Sequence, residues 1–156
     1  MKKSKTLWVL VIFFTWSFLK SAGAVYSAQS VTDYALLASI GVGWAFYVFN
    51  IPLMIAEALT AYLLLKQKTK AFVVAKWLMV AECVNGTVVS IISMLNIETT
   101  KAFYTASREA RGMSARQDMD FLFTIQGVGV MLLVYIAFYA LLYYYLCKVK
   151  PELTNN

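Results

Sequence analysis

Residues 54–86 read MIAEALTAYLLLKQKTKAFVVAKWLMVAECVNG, two apolar runs joined by the basic connector KQKTK, with one glutamate, Glu57 or Glu82, inside each run. Apolar stretches of this length on both sides of a short basic turn predict two antiparallel helices crossing a bilayer, since about 20 apolar residues span the hydrocarbon. At ~1.5 Å of rise per residue, Glu57 and Glu82 stand roughly 14 and 18 Å from the connector, both near mid-membrane. Similar depth brings the two carboxylates within reach if the helices are rotated towards each other, and two such close acids would share a proton.

The rest of the chain fits the same environment. It has 156 residues, 61% of them hydrophobic and 14% charged, which is too apolar for a soluble domain of this size. Four spans with short connections use up that length, so we expect a single all-α domain, an integral membrane four-helix bundle, with spans at about 7–25, 34–65, 71–95 and 121–146. The net charge of +6 does not point to nucleic acid, because the lysines gather at the ends of apolar runs. Histidine is absent, and Cys83 and Cys147 fall in different spans at different depths. This pattern supports neither a disulfide framework nor a metal cluster, and no cofactor is implied.

The first run, residues 7–19, lies between MKKSK and KSAGA. It reads either as a signal segment cleaved after Ala24 or, as we take it, as an uncleaved first span with Lys20 extending its amine to the head groups. Span two opens after Thr32 or Asp33, either of which can cap it. A helix over 34–65 would measure roughly 50 Å against roughly 30 Å of hydrocarbon, so it must tilt, protrude or bend. Pro52 is the expected bend, with Gly41 and Gly43 loosening the far end.

Lysines 2, 3, 5, 66, 68, 70, 148 and 150 fall at one end of the spans, almost without acidic partners. At the other end Lys101, Arg108, Arg111 and Arg116 are matched by Glu98, Glu109, Asp118 and Asp120. The excess of basic residues places the first set, the 66–70 connector and both termini in the cytoplasm, and the longer 96–120 connection outside, as in a bacterial inner (plasma) membrane protein. Tyr143, Tyr144 and Tyr145 suit the cytoplasmic interface. In the external connection Phe103, Ala106, Ala110 and Met113 recur at helical spacing, which predicts a short interfacial helix or a solvated turn of balanced charge. Ser114 with Gln117 has capping-box spacing, and Asp118 and Asp120 complement the dipole of span four.

Three stripes of polar and small residues run along the spans: Gly43, Tyr47, Asn50, Met54, Glu57 and Ala61; Glu82, Asn85, Gly86, Ser90 and Ser93; and Gln126 and Gly129, continued by Leu133 and Ala137. Lipid cannot satisfy their hydrogen bonds, so these faces are expected to turn inward. A charge at a span centre costs on the order of 3 kcal/mol on the insertion scale, which makes buried acids worth explaining. The candidate intramembrane polar site is therefore Glu57, Glu82, Asn50, Asn85 and Gln126. Lys76 is expected to snorkel, and Cys83 to be a packing residue.

Three functions fit. In the first, the polar residues hold the helices in register, and the protein is a non-catalytic subunit or binding partner of another membrane protein or of itself. The alternative is a proton- or cation-coupled transporter or channel component using Glu57 and Glu82. The third, a lipid-modifying enzyme with the carboxylates as an acid/base pair, comes last because no nucleophile, metal set or phosphate loop accompanies them. Small multidrug transporters carry a glutamate in their first span and lipoprotein signal peptidases a pair of aspartates. This chain has neither pattern, and no family resemblance is carried over.

Overall fold

The computed structural model describes residues 4–109, 112, 113 and 117–153, the side chains of 117–119 excepted. It is 89% helical, and no strand occurs among the described residues, so the architecture is all-α. Six helices follow in order: α1 Lys5–Tyr26, α2 Thr32–Ser39, α3 Gly43–Leu65, α4 Lys70–Leu95, α5 Ile97–Glu109 and α6 Ile125–Val149. Of these, α1, α3, α4 and α6 are long and apolar enough to cross a membrane, and the chain is an integral membrane helical bundle. Much of their surface is apolar and exposed, as with Trp16, Trp77 and Leu133, which is what lipid-facing positions require.

The connector between α3 and α4 is as tight as its sequence predicts. Gln67 takes a left-handed φ of 52°, and Lys68 N donates to the Leu63 carbonyl at 2.9 Å, closing the end of α3. Both chain ends reach this turn. The Ser4 amide donates to Glu152 Oε2 at 3.1 Å, Gln67 Nε2 to the Glu152 carbonyl at 3.5 Å, and Lys150 Nζ lies 4.9 Å from the Phe72 ring. Lys5, the 66–70 lysines, Lys148 and Lys150 thus share one end of the bundle, here called the basic end. Ser4 also caps α1, its hydroxyl accepting from Leu7 N at 3.1 Å.

Span two departs from expectation. A single helix over 34–65 does not form: α2 stops at Ser39, and α3 begins at Gly43 and continues through Pro52. The break lies at Gly41, whose φ of +79° is one that residues with a side chain adopt only under strain. The helix continues through Pro52, whereas the left-handed turn at Gly41 ends α2 and lets it pack back on α3, with the Tyr34 ring 5.7 Å from those of Phe46 and Tyr47. Neither Thr32 nor Asp33 caps that helix. The N-cap is Val31, without a side-chain bond, and Asp33 lies in the first turn.

Span four also starts later than predicted. Residues Gln117–Phe123 form a 3-10 segment, and α6 is capped by Thr124, whose hydroxyl accepts from Gly127 N at 3.0 Å. The predicted Ser114–Gln117 box, together with Ala110, Arg111, Arg116 and the Asp118 side chain, lies outside the described residues. Asp120 does not serve the α6 dipole. It pairs with Lys101 at 2.9 Å, and its carboxylate holds that ammonium above its ordinary range. Within the 96–120 connection a helix does form, α5, which packs on α2 and donates from Ser107 Oγ to the Ser30 carbonyl at 2.8 Å.

Packing differs between the two ends. From the basic end to mid-bundle, one core joins Leu7, Leu10 and Phe14 of α1, Ala61 and Leu64 of α3, Ala71, Ala75 and Leu78 of α4, and Leu142, Leu146 and Val149 of α6. At the other end only a small cluster forms, Ala28, Leu37 and Phe46 with neighbours such as Tyr34 and Ile92, and α6 takes no part in it.

Candidate functional site

Between α4 and α6, with residues of α2, α3 and α5 in its lining, lies a partly open cavity of about 630 Å³. Its polar wall comes from four helices: Asp33 of α2, Asn50 of α3, Glu82, Asn85, Ser90 and Ser93 of α4, and Thr100 of α5. The facing wall is apolar and comes from the α6 side, including Phe123, Leu132, Val134, Tyr135 and Phe138. Among the described residues, the lining carries two carboxylates and no lysine or arginine.

The floor depends on one glycine. A Cβ on Gly86 would lie 2.5 Å from Tyr135 Cε1 and 3.0 Å from its hydroxyl, so only glycine lets the ring rest on α4. There the Tyr135 hydroxyl donates to the Glu82 carbonyl at 3.1 Å, and its ring lies 4.8 Å from that of Tyr139, one turn further on. The contact ties α6 to α4 beside Glu82. It also closes the cavity towards the basic end, where Leu78, Met79 and Leu142 are buried.

Glu82 and Asn85 sit one turn apart on this floor, and neither side chain has a hydrogen-bond partner among the described residues. Asn50 uses one donor on its own helix, Nδ2 to the Phe46 carbonyl at 2.8 Å, and turns the rest of the amide to the cavity. Asp33 stands at the mouth. Its side chain is exposed, yet the protein atoms around it displace enough water to raise its carboxyl above the ordinary carboxylate range.

The structure separates the two glutamates that the sequence placed together. Glu57 does not line the cavity; it is 2% exposed on the seam between α3 and α1, where the Ser17 hydroxyl donates to Oε1. Lys20 and Ser21, further along α1, are close enough to act on the same carboxylate. Its other oxygen, Oε2, and the hydroxyl of Thr60, one turn on, have no partner. Glu57 and Glu82 still lie within electrostatic range of each other, but no hydrogen bond joins them.

Of the remaining candidates, Asn50 and Asn85 join Glu82, and Gln126 does not. Gln126 is exposed in the first turn of α6, and Leu133 and Ala137, expected to continue its face inward, are exposed as well. The inward face carries Val128, Leu132, Tyr135 and Tyr139 instead. A glutamine at a helix start can meet head groups or water, so nothing forces it into the bundle. Sequence reasoning overlooked Tyr135, Ser17 and the cavity role of Asp33. The available signals were the Tyr135–Tyr139 spacing of one turn and a serine in an otherwise apolar first span. Lys76 is exposed with its amine 5.9 Å from the Trp77 ring, and Cys83 is half-buried.

Fold and cavity together define a small polytopic membrane protein with a polar pocket inside its helical bundle. The chain matches no known family model, no curated protein and no solved structure, so its function rests on this geometry alone.

Proposed function

We propose that the protein is a non-catalytic membrane component that binds a cation, proton included, at Glu82, serving as a subunit of a cation-linked transport or sensing assembly. One observation carries this reading: Glu82 and Asn85 present unspent polar groups to a cavity whose other charged lining residue, among the described residues, is a second acid. A carboxylate at this depth is costly unless a positive charge or a proton joins it. The basic end belongs in the cytoplasm by its lysines, so the cavity serves the outer face. A membrane-impermeant maleimide tests that sidedness, since the exposed Cys147 at the basic end should react only after the membrane is opened.

Infrared difference spectra of the protein in lipid nanodiscs test the binding. Lowering the pH or adding tetramethylammonium should shift a carboxyl band that disappears in Glu82→Gln. Bands that stay silent to protons and to every cation would remove the basis of the proposal. A structural reading retains support for Glu57 alone, because its bond with Ser17 joins α1 to α3 as an interhelical polar contact does.

A further inference from the structure

We infer that the cavity takes an amphiphilic organic cation, an amine or quaternary ammonium head on an apolar body, in preference to a bare inorganic ion; this rests on the cation-binding reading above. Size is the first argument. At about 630 Å³ the space falls within the range of about 300–1,000 Å³ typical of organic-ligand sites, whereas one water occupies about 30 Å³. A lone metal ion would fill a small part of it. Ligand number is the second argument, because a hard divalent cation collects several oxygens at short range, and no group of three acidic, histidine or cysteine side chains converges among the described residues.

The third argument is the division of the walls. Glu82 and Asn85 lie on α4, with Asp33 above them at the mouth, while Phe123, Leu132, Tyr135 and Phe138 face them from the α6 side. A charged head placed against Glu82 would have the Tyr135 ring beside it, because that ring is fixed over Gly86 by its bond to the Glu82 carbonyl. Carboxylate and aromatic face attract an ammonium together, and both gain strength away from water. The apolar body then lies along α6, where burying each methylene is favourable. A polar solute would leave that wall unsatisfied, and a neutral oil would leave Glu82 so.

Equilibrium dialysis of the full chain in nanodiscs tests this with three probes: dodecyltrimethylammonium, tetramethylammonium as the head alone and dodecanol as the tail alone. Protein-free discs set the lipid background. Saturable binding of dodecyltrimethylammonium is expected, tighter than tetramethylammonium by about tenfold or more, since a few buried methylenes suffice for that ratio. Glu82→Gln, nearly isosteric, should weaken it about tenfold, and Leu132→Trp, which narrows the apolar wall, should weaken it in larger proportion than tetramethylammonium. The comparison among probes on the unaltered protein needs no variant. If the tail adds nothing while tetramethylammonium still shifts the Glu82 band, the amphiphile inference fails and the cation reading stands. If neither cation registers at Glu82 but its band still responds to protons, the amphiphile inference fails and the cation reading stands for the proton; if the band is silent to protons as well, both fail. Dodecanol binding as tightly as the cation, unaffected by Glu82→Gln, would overturn recognition by charge.

Discussion

One added methyl at Gly86 measures how firmly α4 and α6 are joined beneath the cavity. In Gly86→Ala the new Cβ would meet Tyr135 Cε1 at 2.5 Å, Cζ at 2.8 Å and the hydroxyl at 3.0 Å. Carbon atoms rest about 3.5–4.0 Å apart, so the ring must retreat by about 1 Å. Tyr139 stands in the way, its ring centroid 4.8 Å from that of Tyr135. Retreat breaks the 3.1 Å bond to the Glu82 carbonyl, a loss of about 1 kcal/mol. Overpacking adds about 1–3 kcal/mol, and the better helix propensity of alanine returns about 0.5–1 kcal/mol. The net is a destabilisation of about 1–3 kcal/mol. Reversible unfolding in mixed micelles titrated with dodecyl sulfate, followed by circular dichroism, reads it directly. In a Tyr135→Leu background the obstacle is gone, and the same methyl should be neutral or mildly stabilising, a coupling of about 1 kcal/mol or more. If Gly86→Ala is as stable as its parent, or loses the same amount in both backgrounds, the close approach of Tyr135 to α4 is not a feature of the folded protein.

Two further variants probe the other acids. Ser17→Ala removes the hydroxyl that donates to Glu57 on the α1–α3 seam and should lower stability by about 1–3 kcal/mol, whereas Ser17→Ala with Glu57→Leu should recover most of that, since the carboxylate that lost its donor is gone as well; equal losses in both would refute the pairing. For Asp33, burial keeps the proton on in the folded protein to a higher pH than in the unfolded chain. Its contribution is therefore greatest below the ordinary carboxylate pKa and declines as pH rises through the raised folded value. Asp33→Asn should flatten that part of the stability–pH curve, and an unchanged slope would show that Asp33 titrates as an ordinary surface acid.

What the sequence disclosed depended on the range of the interaction concerned. The four long apolar helices were legible because each rests on a local run of apolar residues, and the sharing of one bundle end by Lys5, the 66–70 turn, Lys148 and Lys150 followed from the clustering of lysines. The α4 stripe of Glu82, Asn85, Gly86, Ser90 and Ser93 was legible because helical spacing fixes a face. Periodicity does not say which neighbour that face will meet. Glu57 and Glu82 lie at similar depth in adjacent helices, yet one turns to α1 and the other to α6. The inward face of α6 was misjudged for a related reason: residue polarity singled out Gln126, while tyrosines, apolar in body and polar at the tip, bind the helix to its neighbour. Pro52 drew attention away from Gly41, whose unusual φ is a property of the fold and has no signature beyond the glycine itself.

The position of the cavity is itself written into the helix surfaces. Near the basic end the four long helices share one core, to which α3 and α4 bring Ala61, Leu64, Ala71, Ala75 and Leu78, and α1 and α6 bring Leu7, Leu10, Phe14, Leu142 and Leu146. Beyond mid-bundle the same helices offer Asn50, Asn85, Ser90 and Ser93, while α6 still offers Leu132, Val134 and Phe138. Apolar α6 gains little by closing on amides and hydroxyls, and those groups would lose their remaining hydrogen-bonding capacity if it did. The cavity lies where these surfaces meet, with Asp33 of α2 and the Tyr135 contact over Gly86 in its lining. A uniformly apolar α4 would allow the seam to close along its whole length, so the carboxylate at Glu82 and the opening above it belong to one design.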